Sequence, residues 1–194
     1  PAIFASDASQ SYGFGFVSAA ADISTVRSLA RLTEKRGDYI RLTRDADDEA
    51  ALDRIGLPHT IPLRKTSFTV RFSVRAKRRV YAGTMEAEAL HLSLKWITRR
   101  PRFCGRRLIF LLDAKAVSGA AAKGRSSAGC LAFQLRRIVA LTLAAGLHLN
   151  YIYVPTEDNP ADAPSRGVIP RKSSGNAVDC KLLDELILHE TQAS

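Results

Sequence analysis

The sequence predicts an α/β domain built on a mixed sheet, and three observations predict it. Two short strand-like segments joined by a polar turn open the chain. A continuous apolar run, Leu108-Ile-Phe-Leu-Leu112, has the composition of a strand buried on both faces. From Ser67 onward strand-like and helix-like segments alternate, the order that lays crossover helices on a sheet. The 194 residues suit one domain with a short appended tail, and 46% of them are hydrophobic, enough for a packed core.

Pro1–Asp7 reads as the first strand and ends in a carboxylate. Ser9–Tyr12 is a turn, and Gly13-Phe-Gly-Phe-Val17 alternates small and large residues as the returning strand of a hairpin. Between about Ala20 and Pro62 the periodicity fades. Tyr39–Leu42 has strand character, Asp45–Leu52 can open a short helix, and Pro58 and Pro62 interrupt the chain, so the region reads as an irregular insertion. Ser67–Val74 alternates strictly (Phe68, Val70, Phe72, Val74), the pattern of a half-buried strand. Gly83-Thr84 starts a helix to about Thr98 with Thr84 as N-cap. After the Leu108–Leu112 strand comes Asp113. Ser126 or Ser127 caps a long helix carrying Leu131, Leu135, Ile138, Val139 and Leu143, and Gly146 ends it. Leu147–Val154 is a strand stopped by Pro155, and Asn159-Pro160 opens a short helical turn. Residues 1–170 are thus expected to form the domain, with the insertion at about 20–62. Residues 171–194 hold a linker, Arg171–Gly175, and an amphipathic helix capped by Asp179 with Leu182, Leu183, Leu186 and Ile187.

Charge narrows the function. The chain carries 29 Lys and Arg against 19 Asp and Glu, a net charge of +10. Thirteen of the bases but only two acids, Glu86 and Glu88, lie between Arg64 and Arg107. Such a concentration attracts polyanions, nucleic acid foremost. No apolar run approaches the roughly 20 residues of a bilayer span, so a membrane protein is not expected. The three cysteines, Cys104, Cys130 and Cys180, are odd in number and lack C-x-x-C spacing, which predicts buried reduced thiols in an intracellular protein rather than a disulfide or zinc scaffold. The start at Pro1 and the single methionine at Met85 read as a piece or processed product of a longer polypeptide. Dispersed histidines without a Ser or Cys nucleophile motif disfavour a hydrolase triad. Trp96 can stack on a base, though packing is the commoner role of such a residue.

Four acids fall where an α/β fold aims side chains at one sheet edge. Asp7 ends the first strand, and Asp113 follows the most buried one. Glu86 lies in the first turn of its helix, in line with Leu90, Leu94 and Ile97, so it continues a stripe that must pack inward. Glu88 shares a face with His91, Lys95 and Arg99 and reads as an exposed acid. Asp162 lies in the first turn of another helix. Each has a plain alternative: dipole-favoured acids for Glu86 and Asp162, a helix cap for Asp113, turn chemistry for Asp7. Taken together they point to a cation, because clustered unpaired carboxylates repel and take up protons. Hard oxygen donors favour magnesium or manganese, and a pair of such ions can drive phosphodiester cleavage.

These residues resemble a known family. Phe4-Ala-Ser-Asp7-Ala-Ser9, Met85-Glu86-Ala-Glu-Ala-Leu90, Leu111-Leu-Asp113 and Asn159-Pro-Ala-Asp162-Ala-Pro-Ser-Arg166 look like the ribonuclease H domain of retroelement reverse transcriptases. The closing segment Tyr153–Arg166, with Lys123-Gly-Arg-Ser-Ser127, is similar to the domain of DIRS-type and related eukaryotic elements. The resemblance spans about Ile3 to Arg166. It implies a ribonuclease H-like α/β fold, a five-stranded mixed sheet flanked by helices. It also implies magnesium- or manganese-dependent cleavage of the RNA strand of an RNA–DNA hybrid, with two ions. Asp7, Glu86, Asp113 and Asp162 match its four metal-binding acids: Asp7 would bridge both ions, Glu86 and Asp113 would hold one, and Asp162 would complete the other. Expected nucleic-acid contacts are Lys77, Arg78 and Arg79 in the basic stretch, Lys123, Arg125 and Ser126 before the long helix, and Arg166. A linked or associated reverse transcriptase polymerase is the expected partner.

One departure stands out. Many ribonucleases H carry a mobile histidine before the last acid, whereas Pro155-Thr-Glu-Asp-Asn159 has none, so either Glu157 or Asp158 assists product release or that step is slow. Two alternatives are carried with the leading one: a catalytically idle ribonuclease H-fold binding module in a ribonucleoprotein, and an integrase- or transposase-like nuclease, which the Asn-Pro-Ala-Asp segment fits poorly.

Overall fold

Small residues alternating with large ones build the opening hairpin. β1 (Ala2–Ala8) and β2 (Gly13–Ala20) pair antiparallel, with Asp7 opposite Gly15. The computed structural model describes residues 2–33, 38–43, 57–78 and 80–170. β5 (Thr69–Arg75) pairs antiparallel with the outer side of β2, while β6 (Arg107–Leu112) and β7 (His148–Tyr153) add parallel strands on the far side of β1. The five-stranded mixed sheet has the order β5-β2-β1-β6-β7. The expected α/β architecture, a five-stranded mixed sheet flanked by helices, is the one observed.

Alternation within the strands divides the core between two faces. On one face Phe4, Phe16 and Phe110 lie side by side across β2, β1 and β6, with ring centroids 5.7 Å apart for Phe4–Phe16 and 5.5 Å for Phe4–Phe110. α2 (Ala82–Thr98) covers them with Leu90, Leu94 and Ile97, all wholly buried, and α4 (Gly129–Ala144) adds Leu135 and Ile138. On the other face Ile3, Ala5, Val17, Ile109 and Leu111 pack against Leu29, Ile40, Leu42 and Ile61.

Those last four residues belong to ordered elements in the described part of 20–62: the expected strand at Tyr39–Leu42, and a helix and a second strand that the reading as an irregular insertion did not include. α1 (Ile23–Leu32) is capped by Asp22, whose Oδ1 accepts the Thr25 N–H at 2.7 Å, and β3 (Tyr39–Leu42) runs parallel to β4 (Pro58–Ile61) as a two-stranded sheet. The signal was faint because α1 buries only Leu29 fully and each strand has only four residues. A second correction is α3 (Lys115–Lys123), mostly Ala, Ser and Gly between two lysines, in which Val117 is the one larger apolar residue and no apolar stripe forms. It makes Gly124, at φ +66°, a left-handed helix cap, so the Lys123–Ser127 segment joins two helices.

Helix starts shift as well. Tyr81, not Thr84, precedes α2; its carbonyl accepts the Thr84 and Met85 N–H groups, and the buried Thr84 hydroxyl has no hydrogen-bond partner among the described residues. α4 begins after Ala128, whose N–H donates to Ser126 Oγ at 3.2 Å. β5 starts after a 3-10 turn at Lys65–Ser67. His91 is buried rather than on an exposed face with Glu88, because α4 packs there, and Cys104 and Cys130 are exposed free thiols rather than buried ones. No helix of the described residues is long and apolar enough to cross a membrane. Arg79, the Asp45–Leu52 segment, Cys180 and the expected linker and helix of 171–194 lie outside the described residues.

Candidate metal centre

Strand register creates the site. β1 and β6 pair in parallel through Ile3–Ile109, Phe4–Phe110 and Ala5–Leu111. Continued by two residues, that register sets Asp7 level with Asp113 at the carboxyl ends of adjacent strands. Glu86 comes from the first turns of α2, held over the same edge because Leu90, Leu94 and Ile97 on its face are fixed in the core. Asp7, Glu86 and Asp113 each offer an oxygen, and the three oxygens lie within 4.8 Å of one another.

Three carboxylates this close and this buried disfavour their own charge. Burial pushes Glu86 from 4.5 up to about 9, with further upward pressure from Asp7 and Asp113 against a hydrogen bond from the Ala8 backbone. Asp7 rises from 3.8 to about 7 through burial and the nearby Asp113, while the Ser165 hydroxyl and the Arg166 guanidinium pull the other way. Burial also raises Asp113, opposed by hydrogen bonds from Thr156 and Asn159. An all-oxygen set with unspent negative charge is the donor set of a hard divalent cation. The trio is able to hold a metal ion.

Asp162, the fourth acid, stands beside the trio and is not part of that close group. It opens α5 (Asp162–Ser165), and its Oδ1 accepts from Arg166 Nε at 2.9 Å and Nη2 at 2.8 Å. The turn that carries it is seated by close backbone contact. A Cβ on Gly15 would lie 2.5 Å from both the Ala161 carbonyl oxygen and the Ser165 nitrogen, and Ser73 Oγ donates to the Pro164 carbonyl at 2.7 Å. That contact accounts for Gly15, while a Cβ on Gly13 would instead meet the backbone of Val74 and Ala76.

Sequence reasoning missed Asn159. It was expected to cap a helical turn at Pro160, yet the helix begins two residues later. Its Oδ1 accepts the Ala161 N–H at 3.0 Å, and its amide donates to Asp7 Oδ1 and the Ser6 carbonyl, each at 3.4 Å. The signal available was the side chain itself: a buried amide needs partners on both its oxygen and its nitrogen. Asp158, a candidate for product release, is instead fully buried beside β3, with Arg41 Nε 3.5 Å from its Oδ2.

Of the expected nucleic-acid contacts, Lys77, Arg78, Lys123 and Arg125 are exposed and Ser126 is half-buried. Arg166 is exposed and spans to Asp162. Neither a comparison with protein-family models nor one with curated proteins finds a match to the sequence. Among solved structures, the chain is similar to the N-terminal RNase H domain of Rv2228c from Mycobacterium tuberculosis, solved as a fusion with maltose-binding protein. The TM-score is 0.43 and the identity 14%, over 87% of this chain and 97% of that one.

Proposed function

We propose that the chain is a metal-dependent endoribonuclease that cuts the RNA strand of RNA–DNA hybrids, serving reverse transcription in a retroelement beside a polymerase domain. The observation that carries the reading is the convergence of Asp7, Glu86 and Asp113 at the ends of two parallel strands and one helix. The basic composition supports a polyanionic substrate, and the motif resemblance supports the hybrid and the retroelement setting.

Bound divalent cations, magnesium or manganese as a pair, would supply activation of the attacking water and charge neutralisation at the leaving oxygen. The chain's own residues do the positioning. Asp7 is central: Asn159 fixes one of its oxygens, and Asp113 and Glu86 flank it. Thr156 and Asn159 orient Asp113. Asp162 is presented next to the trio with Arg166 balancing its charge, so a substrate phosphate that draws Arg166 away would release Asp162 toward the same centre.

The test is cleavage of a labelled RNA–DNA hybrid in magnesium by the wild-type chain and by Asp113→Asn. Cutting of the RNA strand by the wild type, lost in the variant and in chelator, is the expected result. A folded wild-type chain that binds hybrid without cutting it would overturn catalysis and leave an idle binding module.

A further inference from the structure

A second feature lies at the opposite end of α2. Glu86 and Arg99 are separated by most of that helix, about 20 Å at 1.5 Å per residue. Around its carboxyl end a cavity of about 470 Å³ is lined by Arg71, Trp96, Arg99, Arg100, Pro101 and Arg102. Four of these six residues are arginines and none is an acid.

The arginines come from two pieces of backbone, Arg71 from β5 and Arg99, Arg100 and Arg102 from the end of α2 and the turn that follows it. Arg71 is the extra residue of a β-bulge: Phe16 pairs with Phe72, but the next residue, Val17, pairs with Val70. A bulge re-aims the side chain it carries. Here Arg71 Nε donates to Ser18 Oγ at 2.7 Å, and the guanidinium carbon sits 5.7 Å from the Trp96 ring centre. The Arg100 guanidinium carbon sits over Trp96 at 3.3 Å from the ring centre, and the guanidinium donates to the Trp96 carbonyl at 2.7 Å. Trp96 is itself wedged against Phe16 and Phe103, with centroids at 5.5 and 6.4 Å. Arg102 is 5.0 Å from the Phe103 ring centre, and Arg99 caps α2 and is exposed.

Free arginines repel and would spread into solvent. These are gathered instead, on an aromatic platform and beside the negative end of the α2 dipole. Burial and then Arg102, Arg71 and Arg99 push Arg100 below its ordinary value. Planar guanidinium groups match phosphate oxygens better than a point charge does.

We propose that this arginine cavity is a second nucleic-acid site, which takes phosphodiester groups of a strand at a distance from the carboxylates and retains the substrate there. The proposal deepens the nuclease reading and rests on nucleic acid being the substrate class. Phosphates are the ligand rather than bases, because the ring of Trp96 is already covered by Arg100.

The experiment measures binding of a short fluorescein-labelled oligothymidylate by anisotropy, without divalent cation, across a salt series. Arg99→Gln/Arg102→Gln is expected to weaken binding roughly tenfold at low salt and to flatten the log–log salt slope by about 1.4, at about 0.7 per lost contact for a single strand. Arg99→Lys/Arg102→Lys restores most of the slope. Arg100→Gln is a third variant, read only if near-ultraviolet circular dichroism shows the Trp96 environment intact. An unchanged affinity and slope in the Gln pair overturns the site, as does displacement of the oligonucleotide by polyglutamate of equal charge at equal concentration. Cleavage by a chain whose slope the Gln pair leaves intact overturns the cavity alone. A flattened slope with no cleavage by the wild type overturns the nuclease alone.

Discussion

The side-chain amide of Asn159 reaches Asp7 Oδ1 at 3.4 Å across 152 residues of sequence. It joins the loop after β7 to the end of β1, and through Asp7 and Asp113 it ties that loop to the carboxylate trio. Its carbonyl oxygen is already used by Ala161, so the ring-like segment around it has one preferred arrangement.

Asn159→Ala removes both ends of this tie. The orienting partner of a ligand is typically worth about 10–100-fold in metal affinity. The expected outcome is a Kd for manganese raised by about tenfold, read by titration calorimetry, with Glu86→Gln and Asp7→Asn losing binding outright. Equal affinity in Asn159→Ala and wild type would show that the amide only closes the turn.

The metal-free chain should lose stability as pH rises. Asp7 moves from 3.8 to about 7 and Glu86 from 4.5 to about 9 on folding, so between each pair of values the folded chain binds more protons than the unfolded one. Their contribution is complete below the ordinary carboxylate values and is lost as pH climbs through the folded ones. His91 works in the opposite sense: burial, Arg137 and Lys95 lower it from 6.5 to about 4, so its contribution is present above 6.5 and is lost as pH falls toward 4. Above about pH 7 the His91 contribution is complete, and the raised Glu86 sets a downward slope. In chelator, Tm is expected to fall from about pH 7 to about pH 9; Glu86→Gln flattens the fall, and manganese reverses it by favouring the ionised carboxylates. A flat wild-type profile in chelator would contradict the buried, mutually repelling arrangement.

Gly15→Ala tests how α5 is seated. A methyl at 2.5 Å from the Ala161 oxygen and the Ser165 nitrogen meets backbone on both sides, so the α5 turn must move away from β2. Lower Tm together with weaker manganese binding is expected, because Asn159 and Ser165 move with the turn. An Ala variant that melts lower but binds manganese as the wild type does would separate the turn from the centre.

What the residues disclosed follows the strength of local signals. β6, five apolar residues ending at Asp113, and the Glu86–Ile97 stripe of α2 were legible because burial on a single face or on both faces leaves a periodic trace. The convergence of Asp7 with Asp113 was inferable from strand ends, though not the register that makes them level. Asn159 was read as a cap because a local Asx turn and a tertiary hydrogen bond use the same residue type. The arginine cavity was visible only as charge: nothing in the spacing of Arg71 and Arg100 reveals a bulge that turns one toward the other's indole platform. Tyr39–Leu42 was legible as a strand and is β3, whereas α1 and β4 stayed hidden because a four-residue strand and a helix with one fully buried residue have little periodicity to show.

That hidden region furnishes the last prediction. Ile40 is wholly buried and packs, with Leu29, Leu42 and Ile61, on the sheet face made by Ile3, Ala5, Ile109 and Leu111. Ile3, Ala5 and Ile109, Leu111 belong to the two strands that end at Asp7 and Asp113. An appended loop would tolerate Ile40→Ala within a few tenths of a kcal/mol, whereas a core position loses about 2–5 kcal/mol from the missing contacts and the cavity left behind. Denaturant unfolding should give the larger figure, with an unchanged m value. The same variant below its unfolding midpoint should retain its manganese affinity, because the cavity lies within the apolar cluster on the sheet face away from α2 and α4 and leaves the carboxylates and Asn159 in place. A cost near zero would return 20–62 to the status of an insertion, and Asp7 and Asp113 would then be supported from the α2 and α4 side alone.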